Sequence, residues 1–206
     1  NLLKSKNKNK PRMGTDKHRL KTELRSKIRA MLKNLSPEKR KLDSKKLCTK
    51  LKEQSFFQNA ASILFFAPLT TEVDLWPLLE ESFAAGKIIA LPRFDPASRS
   101  YVACRVRNLQ NEIVSGQFSI CEPRENCVAI PPREIDLILV PGVAFDLRGR
   151  RLGRGKGYYD RLLAEIRGVK CAIAFDEQVV NEIPVEPHDA LMDFILTPTR
   201  CAEIGR

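Results

Sequence analysis

The stretch Ile135-Asp136-Leu137-Ile138-Leu139-Val140-Pro141-Gly142-Val143-Ala144-Phe145-Asp146 continues as Leu147-Arg148-Gly149-Arg150-Arg151-Leu152-Gly153-Arg154-Gly155-Lys156-Gly157-Tyr158-Tyr159-Asp160-Arg161-Leu162-Leu163. Its opening is an almost unbroken apolar run, which predicts a strand buried on both faces. A loop with four glycines and five cations follows and opens into a helix. Outward from this segment, further short apolar runs lie at 62–66, 87–91, 101–106, 170–175 and 193–196. Helical patterns fall between several of them, at 75–85 ending at Gly86 and at 158–166 ending at Gly168. Doubly apolar strands alternating with helices predict an α/β fold, three layers (α/β/α) around a mostly parallel sheet, in a single domain. Residues 99–132 read as irregular or antiparallel, and there is no internal repeat.

Upstream, Asp16 is a fitting cap for a first helix with Leu20, Leu24, Ile28 and Met31 or Leu32 on one face and mostly Lys and Arg on the other. Ser36-Pro37-Glu38 marks a second helix start, with Ser at the cap and Pro at the first helical position, continuing through Leu42, Leu47 and Leu51. Residues 1–12 are Lys/Asn-rich and predict a disordered basic tail, taken to residue 15, with the folded domain spanning 16–206. Met13 is a candidate start.

At 206 residues with 43% hydrophobic content, the chain is long enough for one sizeable core. It holds no apolar run of the roughly 20 residues that cross a bilayer. The net charge of +11 is unevenly spread: residues 1–53 carry 19 Lys and Arg against 5 Asp and Glu, and residues 54–206 carry 17 against 20. A slightly acidic body with a basic N-terminal quarter is not a whole-molecule field for nucleic acid. Six cysteines lie far apart with no CxxC and only His18 and His188 beside them, so a zinc site is not expected. Reduced thiols in a cytoplasmic compartment are the expectation.

The glycine-rich loop carries the chemistry. Glycines let backbone N–H groups approach an anion, and a helix start adds unpaired donors and the positive dipole end. Arg154 and Lys156 alternate with Gly153, Gly155 and Gly157, which is how a polyphosphate cradle is built. The spacing is neither a Walker A loop, because Lys156 precedes Gly157 and Arg150 stands where the first Gly belongs, nor GxGxxG, because it reads GxGxG. Asp176 ends the next strand where a ribose-binding acid would sit, yet the glycines lie too far from their strand for a dinucleotide site. Asp146-Leu147-Arg148-Gly149 fits a type I turn, so Arg148 and Arg150 are read as turn residues.

The run from Pro141 to Arg161 resembles the signature of the 5-formyltetrahydrofolate cyclo-ligase (5,10-methenyltetrahydrofolate synthetase) family. Lys21-x-x-Leu24-Arg25, Thr71-Glu72-Val73-Asp74, Pro92-Arg93 and Ile183-Pro184-Val185 with Asp189 extend the resemblance from about residue 17 to 200. It implies ATP- and Mg2+-dependent conversion of 5-formyltetrahydrofolate, with or without a polyglutamate tail, to 5,10-methenyltetrahydrofolate, with ADP and phosphate released. Phosphorylation of the N5-formyl oxygen turns a poor leaving group into a good one, and N10 closes the ring. The protein's share is positioning and charge stabilisation.

Residue by residue, the resemblance implies that Lys21 and Arg25 reach the nucleotide phosphates, although a solvated helix face competes for both. Arg151, Leu152, Gly153, Arg154, Gly155, Lys156, Gly157, Tyr158 and Tyr159 would wrap ATP, with Arg154 and Lys156 as the catalytic cations. Tyr158 and Tyr159 equally suit a core; the resemblance gives Tyr158 a substrate contact, beside Ala67 and Glu72. Glu72 would accept hydrogen bonds from the donor-rich pterin. Asp160 and Asp189 are the implied magnesium ligands, against a stabilising first-turn acid and an exposed loop acid respectively. Leu75 departs from the family pattern, where a small polar residue is common, and Arg148 and Arg150 make the loop more basic than the chemistry requires. A monomer with no membrane or specific nucleic-acid partner is expected. Two rivals remain: a nucleic-acid module driven by the basic quarter, and another small-molecule kinase or ligase using the same cradle.

Overall fold

The computed structural model describes residues 13–116, 120–184 and 189–205; the expected tail at 1–12 and Val185 of the Ile183-Pro184-Val185 match lie outside the described residues. The chain runs through α1 (Met13–Lys33), α2 (Pro37–Lys52), α3 (Ser55–Asn59), β1 (Ser62–Leu64), α4 (Trp76–Ala84), β2 (Ile88–Asp95) and β3 (Ser100–Val106). It continues with β4 (Ile113–Ser115), β5 (Cys121–Pro123), β6 (Leu137–Val140), β7 (Ala144–Asp146), β8 (Arg151–Leu152), α5 (Tyr158–Glu165), β9 (Val169–Ile173), β10 (Val179–Val180), β11 (Phe194–Leu196) and β12 (Cys201–Glu203).

The main sheet has the order β12-β11-β9-β6-β1-β2-β3. Strands β2, β1, β6, β9 and β11 are mutually parallel, and β3 and β12 close the two edges antiparallel. Strand periodicity sorts its side chains into two cores. Ile63, Ile89, Leu91, Leu137, Leu139 and Ile173 pack with Leu47, Leu51, Leu78 and Leu79 of α2 and α4 and with Ile28 of α1. Their alternates Leu64, Ala90, Ile138, Val140 and Ala172 pack on Leu162 and Leu163 of α5. The expected three layers are present, lopsided: four helices cover one face and α5 the other.

Asp136 fastens two central strands at their starts: its Oδ2 accepts from the backbone N–H groups of Ala61 at 2.9 Å and Ser62 at 2.8 Å. Residues 99–132 are antiparallel as expected, with β3 on the sheet edge and β4 and β5 forming a separate hairpin. Arg93 supports this region by donating to the carbonyls of Arg124 and Glu125, both at 2.9 Å.

Two helix readings need correction. The first helix begins at Met13, so Asp16 is a first-turn residue and not the cap, and Leu20 and Met31 are exposed while Ile28 and Leu32 are buried. Leu42 is exposed too, because the α2 core stripe is carried by Leu47 and Leu51. Ser36 does cap α2, accepting from the Lys39 N–H at 3.1 Å. Much of the basic quarter is used internally. Arg40 caps the end of α1 through the Leu32 carbonyl at 2.5 Å, Lys52 pairs with Glu81 at 2.8 Å, and Lys39 pairs with Asp43 and with Glu177. No helix among the described residues is long and apolar enough to cross a membrane. All six cysteines are free thiols.

Candidate active site

The parallel strands β1, β2 and β6 end at one rim, and the cleft of about 360 Å³ opens there, as the architecture favours. Phe66 and Ala67 follow β1, Pro92 and Phe94 come from β2, and Pro141 and Gly142 follow β6. The glycine-rich loop and the first turn of α5 form the facing wall.

The turn at Asp146 sets that loop. Gly149 N–H closes it on the Asp146 carbonyl at 3.0 Å, with φ of +79°, a conformation in which glycine is favoured. Asp146 is fully buried; its carboxylate accepts from the N–H groups of Arg148 (3.0 Å), Arg150 (3.1 Å) and Ile183 (2.9 Å). Arg148 and Arg150 point away to Glu182, at 3.6 and 3.0 Å. Both are turn residues, as the spacing predicts, and the β7–β8 hairpin follows from them.

From β8, the second strand of the hairpin, the chain enters the cleft. Arg151 is almost enclosed: it pairs with Asp160, donates to the Pro141 carbonyl at 3.1 Å, and lies 5.6 Å from the Tyr159 ring centre. Leu152 faces the other way into the core and is 1% exposed, so its side chain is structural. Gly157 stands at the N-cap of α5 with φ of +67° and without a side-chain cap, so the helix start meets the cleft as bare backbone. Lys156 lies 5.9 Å from the ring centre of Tyr158, and Tyr158 packs on Phe94 at 5.1 Å. Burial raises the pKa of Tyr159, whose hydroxyl has no hydrogen-bond partner among the described residues.

Glu72 and Arg154 meet at 2.5 Å, and the second oxygen of Glu72 accepts from the Leu69 N–H at 2.9 Å. The residues expected to hold the substrate and the phosphates are thereby one ion pair. From α1, Arg25 donates to the Gly153 carbonyl at 2.9 Å; burial first, and the neighbouring Arg29 charge second, lower its pKa. Lys21 pairs with Asp189 at 3.6 Å, outside the residues that line the cleft. Asp160 lines it. No group of three His, Cys, Asp or Glu able to hold a metal occurs among the described residues. Leu75 is buried in the core and not in the cleft. Asp176 accepts from the hydroxyls of Thr197 at 2.5 Å and Thr199 at 2.6 Å, a structural fastening between strand ends.

Sequence reading missed Arg29, Phe94, Tyr101, Ile120 and Glu122, all of which line the cleft. Arg29 had a signal, since it continues Lys21 and Arg25 at four-residue helical spacing. Phe94 and Tyr101 face each other only through the β2–β3 register.

The sequence model of the 5-formyltetrahydrofolate cyclo-ligase family matches residues 17–198. The chain belongs to the 5-formyltetrahydrofolate cyclo-ligase family. The cyclo-ligase of Mus musculus is 33% identical over 184 residues, covering 84% of this chain and 91% of that one. The cyclo-ligase of Escherichia coli strain K12 is 31% identical over 180 residues, covering 85% and 99%. Among solved structures, the NMR structure of Aquifex aeolicus 5,10-methenyltetrahydrofolate synthetase superposes with a TM-score of 0.82 at 37% identity, covering 91% of this chain and 95% of that one. The cyclo-ligase fold and the cleft at its strand ends thus belong together in this chain.

Proposed function

We propose that this protein converts 5-formyltetrahydrofolate to 5,10-methenyltetrahydrofolate in an ATP- and Mg2+-dependent reaction. The observation that carries the reading is the Glu72–Arg154 pair at 2.5 Å, in a cleft lined also by Gly157 at the start of α5 and by Phe94, Tyr101 and Tyr158. A phosphate-binding rim and a surface for a planar ring share one cleft. ATP, when bound, supplies the phosphoryl group that makes the formyl oxygen a leaving group before N10 closes the ring.

Gly153, Gly155 and Gly157 bring backbone close to the phosphates, and Arg154 and Lys156 balance the charge that moves towards the bridging oxygen. Arg25 holds the loop by its Gly153 carbonyl and adds positive field. Arg151 fixes Asp160 and the start of α5. Ala67, 6% exposed, leaves room beside Glu72, which accepts from the folate N–H groups and is released from Arg154 as the phosphates take that cation.

The residues fit Mg2+ in part. A magnesium ion keeps several waters and takes one or two carboxylates together with phosphates, so Asp160 in the cleft is a suitable ligand without a larger acidic cluster. Asp189 pairs with Lys21 outside the residues that line the cleft, so only Asp160 of the two lies where the phosphates would bring the ion. Free thiols suit a reducing compartment such as the cytoplasm.

The test is to mix the protein with 5-formyltetrahydrofolate and Mg-ATP and follow the absorbance of the methenyl product against a control without ATP. ATP-dependent product is the expected result. Nucleotide binding without product would remove the folate assignment and leave another kinase or ligase with the same cradle. Glu72→Ala is expected to raise the KM for folate while ATP still binds.

A further inference from the structure

The strip Pro141-Gly142-Val143 after β6 carries two residues of the cleft wall and is held from outside the cleft by a buried amide. Gln178 closes the 3-10 turn Asp176–Gln178 that follows β9; it is 2% exposed and does not line the cleft. Its Oε1 accepts from the Phe175 N–H at 2.8 Å, and its Nε2 donates to the carbonyls of Gly142 at 2.8 Å and Val143 at 3.3 Å. An amide taken out of water is costly unless it is hydrogen-bonded, and here both ends are engaged. The turn itself is tied on two further sides. Asp176 accepts from the hydroxyls of Thr197 and Thr199, and Glu177 pairs with Lys39 of α2 at 3.3 Å. Gln178 thus reaches the strip from a fixed base.

The strip has little freedom on its other side. Arg151 donates to the Pro141 carbonyl at 3.1 Å, and the Val143 N–H donates to the Leu152 carbonyl at 2.8 Å. A Cβ on Gly142 would lie 2.6 Å from the Phe145 ring and 3.2 Å from Cγ of Arg151. Arg151 in turn pairs with Asp160 in the first turn of α5. A shift of Gly142 is therefore passed to Arg151 and the helix start, whereas Glu72 is held separately by the Leu69 N–H and Arg154. We propose that Gln178 is a positioning residue for the phosphate side of the cleft, acting through Gly142 and Arg151 on the start of α5. The assignment rests on the ATP reading above and adds to it a residue that touches neither substrate.

The test compares Gln178→Met, which keeps the length of the side chain and removes its donor and acceptor, with Asp176→Ala, which loosens the same turn without touching the strip. Mg-ATP affinity is measured by titration without folate, and kcat and the folate KM by steady-state turnover. Both variants should lower the urea midpoint. Gln178→Met alone should weaken Mg-ATP binding roughly tenfold and lower kcat by at least as much, because a misplacement of about 1 Å can cost roughly a hundredfold. Its KM for 5-formyltetrahydrofolate should stay within about threefold, and Asp176→Ala should keep all three quantities within about threefold of wild type. A wild-type measurement needs no variant to fold: the Gln178 side-chain amide protons, followed by NMR, should exchange slowly and shift on adding Mg-ATP and not on adding 5-formyltetrahydrofolate alone. Equal losses in the two variants, a loss confined to the folate KM, or amide protons indifferent to Mg-ATP overturn the assignment. Wild type that binds no Mg-ATP overturns the nucleotide reading and this assignment together; active wild type with an indifferent Gln178→Met overturns the assignment alone.

Discussion

Replacing Arg151 by Ala removes a side chain that is 5% exposed and leaves Asp160, 29% exposed, facing an empty site. The Pro141 carbonyl loses its 3.1 Å donor, and the Tyr159 ring loses the guanidinium over it. Breaking a buried ion pair from one side costs about 3–5 kcal/mol; the partial exposure of Asp160 argues for the lower end, about 3 kcal/mol. A domain stable by about 5–15 kcal/mol survives that loss with a clearly lowered urea midpoint. Trp76, the only tryptophan, sits at the start of α4 and provides a fluorescence signal for the transition. The decisive comparison is a cycle with Asp160→Asn. Asp160→Asn alone should also destabilise, and the double variant should be more stable than the two single losses predict, with a coupling of about 1–3 kcal/mol. A cost below about 1 kcal/mol for Arg151→Ala, or strict additivity in the cycle, would refute the claim that this pair fixes the start of α5 against the end of β6.

Lys156→Ala should leave the fold intact and lower turnover by about a hundredfold or more, because phosphoryl transfer depends on cation placement; near-normal kcat in the methenyl assay would remove the loop from the mechanism. Asp136 is held below the usual carboxylate range, first by the Ser62 backbone N–H; burial, the next largest effect, opposes this, and the Ser62 hydroxyl, the Ala61 N–H and the Lys87 charge add to the lowering. Its stabilisation is therefore present above the unfolded pKa of about 3.9 and lost as pH falls through the lower folded value. Asp136→Asn should be less stable than wild type at neutral pH, with the gap in urea midpoint closing at strongly acidic pH; a constant gap would contradict this. Burial pushes the Cys48 thiol up to about 11, with Asp74 adding to the rise, so iodoacetamide near neutral pH should modify exposed Cys121 well before Cys48, as read by peptide mass analysis. Equal labelling rates would show that Cys48 is not shielded.

The central strands were legible because each is apolar on both faces, and Leu137 to Val140 need no partner to declare themselves buried. The α2 cap and the Asp146 turn were equally legible, since Ser-Pro-Glu and Asp-x-x-Gly act through bonds within a few residues. The Gly-cation loop reads as a phosphate site from equally local signals. Leu20 and Leu42 misled because helical periodicity does not state how far a core extends beneath a helix. The Lys39, Arg40 and Lys52 partners were hidden too, being set by the docking of helices on one another and on the sheet. Tertiary structure alone made Glu72, 82 residues from Arg154, its partner, and turned Leu152 inward while Arg151 closed on Asp160. It also set Glu122 beside Phe94 across 28 residues. Sequence determined the elements because propensity, capping and burial on both faces are local or periodic; the cleft needed strand order and register, which bring distant side chains within a few ångströms and leave no trace in spacing.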